Sequence, residues 1–285
     1  MGSLKLLTLA GAFSAAAATA QAADLLPPPP PPMYAPAPVL DVGGGWYLRG
    51  DVGVGILDLR GTNAIDVSTP PVPYVYNKLQ DEVSDQVFVG LGVGYQWNGW
   101  LRGDVTGEYR TQTDWKFVAE DTTFGAVGGF NSTTGKFSSI VGLANVYFDL
   151  GTWNGFTPFV GAGAGFAHHR FASVTDKGLG TYSTGFGYGG EKDQTNFAWA
   201  LHAGLGYAVN PNLKLELAYR YLNMGDIETG VVGCLPSCPG NLKTVYKLKD
   251  VESHDIKIGM RWLLGAPAPV LAAAPVMEQP LVRKY

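Results

Sequence analysis

The amino-acid sequence predicts an all-β fold, an eight-stranded antiparallel transmembrane up-and-down β-barrel. Apolar and polar residues alternate with a period of two in eight separate segments, as they do in β-strands. Short turns and long polar connections alternate strictly between those segments, an arrangement typical of membrane barrels. Only 15% of the 285 residues are charged, against roughly 25% in soluble domains. Composition alone would also fit a soluble β-sandwich, so the alternation decides the prediction.

The N-terminal residues predict export. Lys5 supplies a positive charge, residues 6–18 form an apolar run, and Ala20-Gln21-Ala22 provides a cleavage site. We therefore predict a signal peptide at 1–22, a Pro-rich periplasmic segment at 23–44, a barrel at 45–264 and an Ala/Pro-rich tail at 265–285. Prolines 27–32 favour an extended polyproline II spacer. Both flanks are expected to be unstructured and periplasmic.

The first four strands are predicted at 46–57, 86–97, 100–110 and 136–150. In each of them the apolar residues share one face. The other face carries Arg49 and Asp51 on the first strand, Gln86 and glycines on the second, mainly charged residues on the third, and Asn145, Tyr147 and Asp149 on the fourth. Their outward residues are Trp46, Leu48, Val52, Val54 and Ile56; Val87, Val89, Leu91, Val93, Tyr95 and Trp97; Leu101, Val105 and Tyr109; and Ile140, Ala144, Val146 and Phe148.

The last four strands are predicted at 157–170, at 196–209, within 209–221, and at 253–264. The first of these alternates weakly, because small residues occupy both of its faces. The outward residues are Val160, Ala162, Ala164 and Phe166; Phe197, Trp199, Leu201, Leu205 and Tyr207; Leu213, Leu215, Leu217, Tyr219 and Tyr221; and Ile256, Ile258, Met260 and Trp262.

The connections support a membrane orientation. Short turns are predicted at Asn98-Gly99, 151–156 and 210–212, and four polar loops of roughly 25 to 30 residues separate the other strand pairs. An even number of strands places both tails on the periplasmic side. Aromatic residues near both strand ends predict two girdles at the membrane–water interfaces.

The chain has two cysteines, Cys234 and Cys238. In an exported protein a close pair favours a local disulfide over a metal site. A zinc site would need further ligands, and the sequence offers none nearby.

Several stretches resemble the small eight-stranded outer-membrane β-barrel family, related to the membrane domain of OmpA and including alphaproteobacterial surface-antigen or porin-family barrels. They are GWYLRGDVGVG at 45–55, FVGLGVGYQWNGWLRGDVTGEYR at 88–110, NVYFDLG at 145–151, FTPFVGAGAGFAH at 156–168, ALHAGLGYAVNPNLKLELAYRYLNMGD at 200–226 and HDIKIGMRW at 254–262. The resemblance implies location in the cell outer membrane. It also implies that the assembly machinery reads the last strand, through Lys257, Gly259, Trp262 and Leu264.

The inward faces of the predicted strands carry seven cations and six anions. Because the charges nearly balance, and eight strands enclose little more than side chains, we predict a lumen plugged by paired charges. Inward glycines on strands two, five and six leave a narrow channel for ions or small solutes as the alternative. The predicted network consists of Arg49, Asp51, Arg102, Asp104, Glu108, Arg110, Asp149, Lys214, Glu216, Arg220, Asp255, Lys257 and Arg261.

We therefore expect a structural and surface-exposed protein rather than an enzyme, with no cofactor and no bound nucleic acid. Expected partners are outer-membrane lipids and lipopolysaccharide, the assembly machinery, and host surfaces or peptidoglycan. A monomer or weak oligomer is expected. Two alternatives, a lipid hydrolase and a haem- or metal-binding surface, depend on side chains that are more often structural: His168, His169, His202, His254, Ser173 and Ser253.

Overall fold

The structure, a computed structural model, describes residues 44–71, 75–122, 129–180, 185–235 and 242–265. In these ranges the chain forms one antiparallel sheet that closes on itself, and no helix there could span a membrane. Its strands are β1 (Gly45–Asp66), β2 (Tyr76–Val83), β3 (Gln86–Gln96), β4 (Leu101–Asp121), β5 (Gly129–Asp149), β6 (Phe156–Gly180), β7 (Phe186–Gly189), β8 (Lys192–Ala208), β9 (Leu213–Asn223), β10 (Ile227–Glu228), β11 (Val232–Leu235) and β12 (Lys243–Leu263).

A ring of eight strands forms the end of the barrel that carries the short turns, which we call the lower half. Its order is β1-β3-β4-β5-β6-β8-β9-β12, and β12 pairs back onto β1. The prediction of an eight-stranded up-and-down barrel is therefore confirmed.

Five of these strands continue beyond that ring and build a second level, the upper half. There β2 pairs with β4, β7 lies between β6 and β11, and β11 pairs with β12. Among the described residues, no backbone ladder joins β1 to β2. Instead Asp81 accepts hydrogen bonds from the Thr62 amide and hydroxyl, both at 2.7 Å, and the Tyr76 hydroxyl accepts one from the Ala64 amide at 3.1 Å.

Asparagine side chains fix two of the three predicted short turns. Asn98 Oδ1 accepts hydrogen bonds from the amides of Trp100 and Leu101, at 3.0 and 2.7 Å. Asn210 Oδ1 does the same for Asn212 and Leu213, at 2.9 and 2.8 Å. Such local bonds favour tight turns over continued strand.

The predicted upper ends of the strands were wrong, because much of the expected loop sequence is strand. β1 continues to Asp66, β4 to Asp121 and β6 to Gly180, while β5 begins at Gly129 and β12 at Lys243. The alternation persists there, but the apolar residues now point inward. Strands predicted from outward apolar residues therefore end too early, at the level where the apolar residues change from the outer to the inner face.

The outer face of the lower half is apolar on every strand. Leu91 is 71% exposed and Phe197 is 68% exposed, and both belong to rows of aliphatic and aromatic side chains. The predicted aromatic girdles are exposed as well, with Trp46, Trp97 and Trp262 at the end of the short turns. This apolar belt is the face that a membrane barrel presents to lipid.

Candidate functional site

The lumen of the lower half is the candidate site, because it holds a concentration of buried charge. Strand alternation turns twelve of the thirteen predicted charged residues inward, and each is at most 8% exposed. Lys214 is the exception: it is the second residue of β9 and is half-buried at the mouth of the barrel. Without it the buried set is balanced, with six cations and six anions: Arg49, Arg102, Arg110, Arg220, Lys257 and Arg261 against Asp51, Asp104, Glu108, Asp149, Glu216 and Asp255.

Glu216 is the centre of the cluster nearest the short turns. Its carboxylate lies 3.2 Å from Arg261, 3.3 Å from Arg102 and 3.5 Å from Arg49. Arg102 also contacts Asp149 at 3.1 Å. A single carboxylate thus faces three guanidinium groups from three different strands, and it ties opposite walls of the barrel together.

Arg49 extends this network toward the middle of the lumen. One guanidinium nitrogen lies 2.7 Å from Asp104 and another lies 3.0 Å from Asp51. Lys257 approaches Asp51 at 3.7 Å. Cations therefore alternate with anions across the lumen.

A second cluster occupies the upper part of the charged lumen. Arg110 contacts Asp255 at 2.6 Å and Glu108 at 3.2 Å, while Arg220 contacts the same two carboxylates at 2.5 and 2.8 Å. Two arginines and two acids thus form a closed four-membered set. Ser253 adds a hydrogen bond, accepting from Arg110 at 2.7 Å.

Neutral side chains add further contacts to the charged groups. Tyr47 donates to Asp104 at 3.1 Å, and Asn145 donates to the other oxygen of that carboxylate at 2.8 Å. The Arg102 guanidinium lies 4.2 Å from the centre of the Tyr147 ring, a distance that allows a cation–π interaction. Sequence reasoning missed Tyr47, although its place between Trp46 and Leu48 already implied an inward side chain.

Several inward glycines leave room for large side chains of neighbouring strands. A Cβ atom built at any of several inward glycines would lie 2.0 to 2.6 Å from a side chain of a neighbouring strand. The pairs are Gly53 with Phe88, Gly94 with Tyr47, Gly161 with Tyr147, Gly163 with Asn145 and Gly204 with Phe159. Four of these five glycines, Gly94, Gly161, Gly163 and Gly204, lie on the strands whose glycines suggested a channel.

An apolar core fills the upper half directly above the charged lumen. Trp115, Phe137 and Phe171 are each at most 1% exposed, and the ring centres of Phe137 and Phe171 lie 5.7 Å apart. The Trp115 ring lies 5.6 Å from that of Tyr246 on β12. The core therefore joins strands from opposite sides of the upper half, and the sequence analysis did not predict it.

Asp176 is an acid at the edge of this core. Its carboxylate accepts a hydrogen bond from Thr133 Oγ1 at 2.8 Å. Burial raises the pKa of Asp176 above its ordinary value, because the charged form is poorly solvated there.

The four histidines occupy separate places. His168 is bonded to Thr195 at 2.8 Å on the outer face, and His254 to Tyr219 at 2.7 Å. His202 lies in the lumen, 3.1 Å from Asn145. Within the described ranges no group of His, Cys, Asp and Glu side chains could hold a metal ion.

The predicted hydrolase candidates do not come together. Ser253 is buried and bonded to Asp255, whereas its neighbour His254 points to the outer face, as alternation requires. His169 does meet a serine, with Ser139 Oγ at 2.7 Å from its Nδ1. The other ring nitrogen faces the Met224 carbonyl rather than a carboxylate, at 3.3 Å, and both side chains are 1% exposed. We assign this pair a structural role.

Other predicted features remain predictions. Cys238 lies outside the described residues, as do residues 1–43 and 266–285, so the Cys234–Cys238 disulfide, the signal peptide and the tails keep that status. In β12 Lys257 and Gly259 point inward, while Trp262 is 50% exposed and Leu264, directly after the strand, is 56% exposed. This is the alternation that the predicted assembly signal needs.

Comparison with known proteins finds a matching family and several similar proteins. The family described as outer membrane protein beta-barrel domain matches residues 6–259. An uncharacterised protein of Brucella suis biovar 1 is 30% identical over 203 residues, which cover 66% of this chain and 70% of that protein. A candidate adhesin of Rickettsia prowazekii is 26% identical, covering 76% of this chain and 86% of that one. The crystal structure of Neisserial surface protein A shares 22% identity over 76% of this chain and 96% of its own, with a TM-score of 0.37.

Proposed function

This chain belongs to the outer membrane protein beta-barrel domain family, and we propose that it is a surface protein whose barrel stays closed to solutes. In this proposal the lower half anchors the protein in the outer membrane. The upper half and its loops form the part that contacts other surfaces.

The balanced, buried charge network is the observation that supports a closed barrel. Twelve ionised side chains fill the lumen, with separations of 2.5 to 3.7 Å between partners. Removing one charged partner from such a site leaves another buried charge unpaired, at a cost of about 3–5 kcal/mol. A solute would have to separate these pairs and then cross the apolar core of the upper half.

The surface role is supported by the size of the upper half and by the family. Five strands continue well beyond the apolar belt and carry a packed core of their own. An anchor alone does not require this second level. One relative, the Rickettsia protein, carries the name of a candidate adhesin.

Conductance across planar lipid bilayers tests the closed lumen. The purified full-length protein should give no steady openings, under conditions in which an open porin conducts. Steady ion conductance by correctly folded protein would instead favour the alternative, a narrow porin-like channel. A heat-dependent shift in gel mobility would establish folding in the same sample.

A cell-adherence assay tests the proposed surface role independently of the conductance measurement. A non-adherent bacterial strain that displays the protein should bind cultured host cells more than the same strain carrying the empty vector. Equal binding by the two strains would contradict an adhesive role and leave the conductance result unaffected.

A further inference from the structure

One strand boundary of the upper half lacks a backbone ladder in the described part of the chain. The strands there lie in the order β2-β4-β5-β6-β7-β11-β12-β1, and each is joined to the next by a ladder. The ladder between β1 and β3 ends at the pair Gly55 and Gln86, and above that pair none joins β1 to β2. We call this boundary, between residues 56–66 of β1 and the whole of β2, the seam.

Side chains hold the seam together in place of peptide groups. The Asp81 carboxylate accepts hydrogen bonds from the Thr62 amide and hydroxyl and, at 3.4 Å, from Trp115 Nε1. The Tyr76 hydroxyl accepts one from the Ala64 amide at 3.1 Å. Because Thr62 and Ala64 are alternate residues, their backbone groups belong to the edge of β1 that faces the seam. A carboxylate and a hydroxyl thus occupy positions where a neighbouring strand would offer carbonyl groups.

The apolar core is only partly covered along the seam. Among the described residues, four partly buried apolar side chains pack against this core: Leu59 and Ala64 on β1, and Tyr76 and Val83 on β2. All four belong to the two strands that border the seam. The seam therefore combines two features of an incomplete sheet, namely facing strand edges without a ladder and a partly exposed margin of the core.

The seam lies above the apolar belt. On the outer face of β1 the belt ends at Ile56, and the next outward residues, Asp58 and Arg60, are exposed and charged. A partner that enters the seam therefore approaches from water and not from the lipid hydrocarbon.

The backbone groups of the seam indicate the kind of partner. An edge strand presents amide donors and carbonyl acceptors in a regular repeat, and this repeat is matched by an extended polypeptide. Glycans and lipids have no such repeat. A second copy of this chain is disfavoured, because the described strands of its upper half already pair within one sheet and one of them would have to leave it.

We propose that the seam accepts an extended segment of another protein as an added strand. The segment is about eight residues long, as β2 is, and carries apolar side chains at alternate positions. It displaces the side chains of Asp81 and Tyr76 from the β1 amides, and its apolar residues cover Leu59 and Val83. This inference rests on the proposed surface role and specifies how contact is made, through backbone pairing at the seam.

Peptide binding to the full-length protein in lipid nanodiscs tests the proposal. The probe is a fluorescent eight-residue peptide that alternates valine with threonine. A second peptide has the same side chains but carries N-methyl groups on alternate backbone amides, so that it cannot complete the ladder. Fluorescence anisotropy should show saturable binding of the first peptide and at least about tenfold weaker binding of the second.

Loss of the Asp81 side chain should strengthen binding. Asp81→Ala leaves the Thr62 amide available to the peptide and should tighten binding about tenfold, whereas a purely structural role of Asp81 predicts weaker binding. Asp176→Ala is the matched control. Asp176 also accepts a threonine hydroxyl, that of Thr133, but these two residues are paired within the β5–β6 ladder, so peptide binding should not change.

A reversible cross-link tests the seam without depending on the stability of Asp81→Ala. The pair Thr62→Cys and Asp81→Cys is introduced in a background with both native cysteines replaced. The Thr62 hydroxyl lies 2.7 Å from the Asp81 carboxylate, so the two positions are close enough to join on oxidation. The oxidised protein should not bind the peptide, and reduction of the same sample should restore binding. Heat-dependent gel mobility establishes folding of both forms.

Equal binding of the two peptides, or equal binding by the oxidised and reduced cysteine pair, would overturn the inference. Dimers of the protein alone that oxidation of this pair abolishes would also overturn it, in favour of a second copy. If oxidation stops peptide binding but cells displaying the oxidised protein still adhere, the surface role stands and adhesion occurs elsewhere. If wild-type cells do not adhere, the surface role fails, whereas the peptide measurement still reports on the seam.

Discussion

The lower and upper halves of this barrel share strands but have opposite sidedness. On β4, Tyr109 points outward at 50% exposure while Arg110 is fully buried; a few residues on, Trp115 is buried and Lys116 is exposed. Charge lies inside the lower half and mostly outside the upper half, where Asp176 is an inward exception. One strand therefore serves two environments along its length.

The difference shows that the surroundings, and not the strand itself, decide which residues face inward. In lipid the outer wall must be apolar, so polar groups collect in the lumen and have to pair there. In water the ordinary rule returns, and the apolar residues form a core. The bulge between Arg110 and Thr113 lies at this boundary. A bulge adds one residue and so exchanges the two faces of a strand.

Loss of the central carboxylate should produce the largest effect. Glu216→Ala leaves Arg49, Arg102 and Arg261 without their shared counter-charge and should cost about 3–5 kcal/mol of unfolding free energy. Urea titration in lipid vesicles measures this. Asp114→Asn removes an exposed ion pair of the upper half and should change little; equal losses in both variants would contradict the distinction between the halves.

A cavity in the upper core should produce the next largest effect. Phe171→Ala should cost about 3 kcal/mol or more, and it should loosen the upper half while the lower half stays folded. Amide hydrogen exchange should show faster exchange in upper β5 and β6 only. Phe166→Ala, on the outer face of the same strand, is the comparison and should leave the upper half protected.

The same substitution on the outer wall should have different effects in the two halves. Leu91→Arg places a cation in the apolar belt and should cost about 2–4 kcal/mol, whereas Leu179→Arg adds one to a wall that already carries lysines. Stability of the two variants in vesicles provides the measurement. A similar cost at both positions would mean that the upper wall is also covered by lipid.

The smallest expected effect is a pH dependence at Asp176. Because burial raises the pKa of this group in the folded state, its protonated form favours folding, and that contribution is lost as pH rises through the raised pKa. Protease resistance of the upper half should therefore fall slightly as the pH rises above the ordinary aspartate range. Asp176→Asn should remove this dependence, and an unchanged profile would assign it to another group.

The sequence predicted the lower half well, because lipid imposes one rule on every strand. The alternation of inward and outward residues along a strand was enough to place Arg49, Glu216 and Arg220 in the lumen. The upper half could not be predicted in the same way. Trp115 and Phe171 lie in segments without a row of outward apolar residues, so the sequence pattern predicts polar loops there. Two other features depend on contacts distant in sequence, namely the Ser139–His169 pair and the meeting of Glu216 with three arginines.

Accessibility along β4 tests the reversal of sidedness most directly. Single spin labels would be introduced through Val105→Cys, Tyr109→Cys, Asp114→Cys and Lys116→Cys, in a background with both native cysteines replaced. The account predicts that labels at Val105 and Tyr109 respond to lipid-soluble oxygen, and labels at Asp114 and Lys116 to a water-soluble relaxation agent. The same response at all four positions would contradict the division of the barrel into two halves.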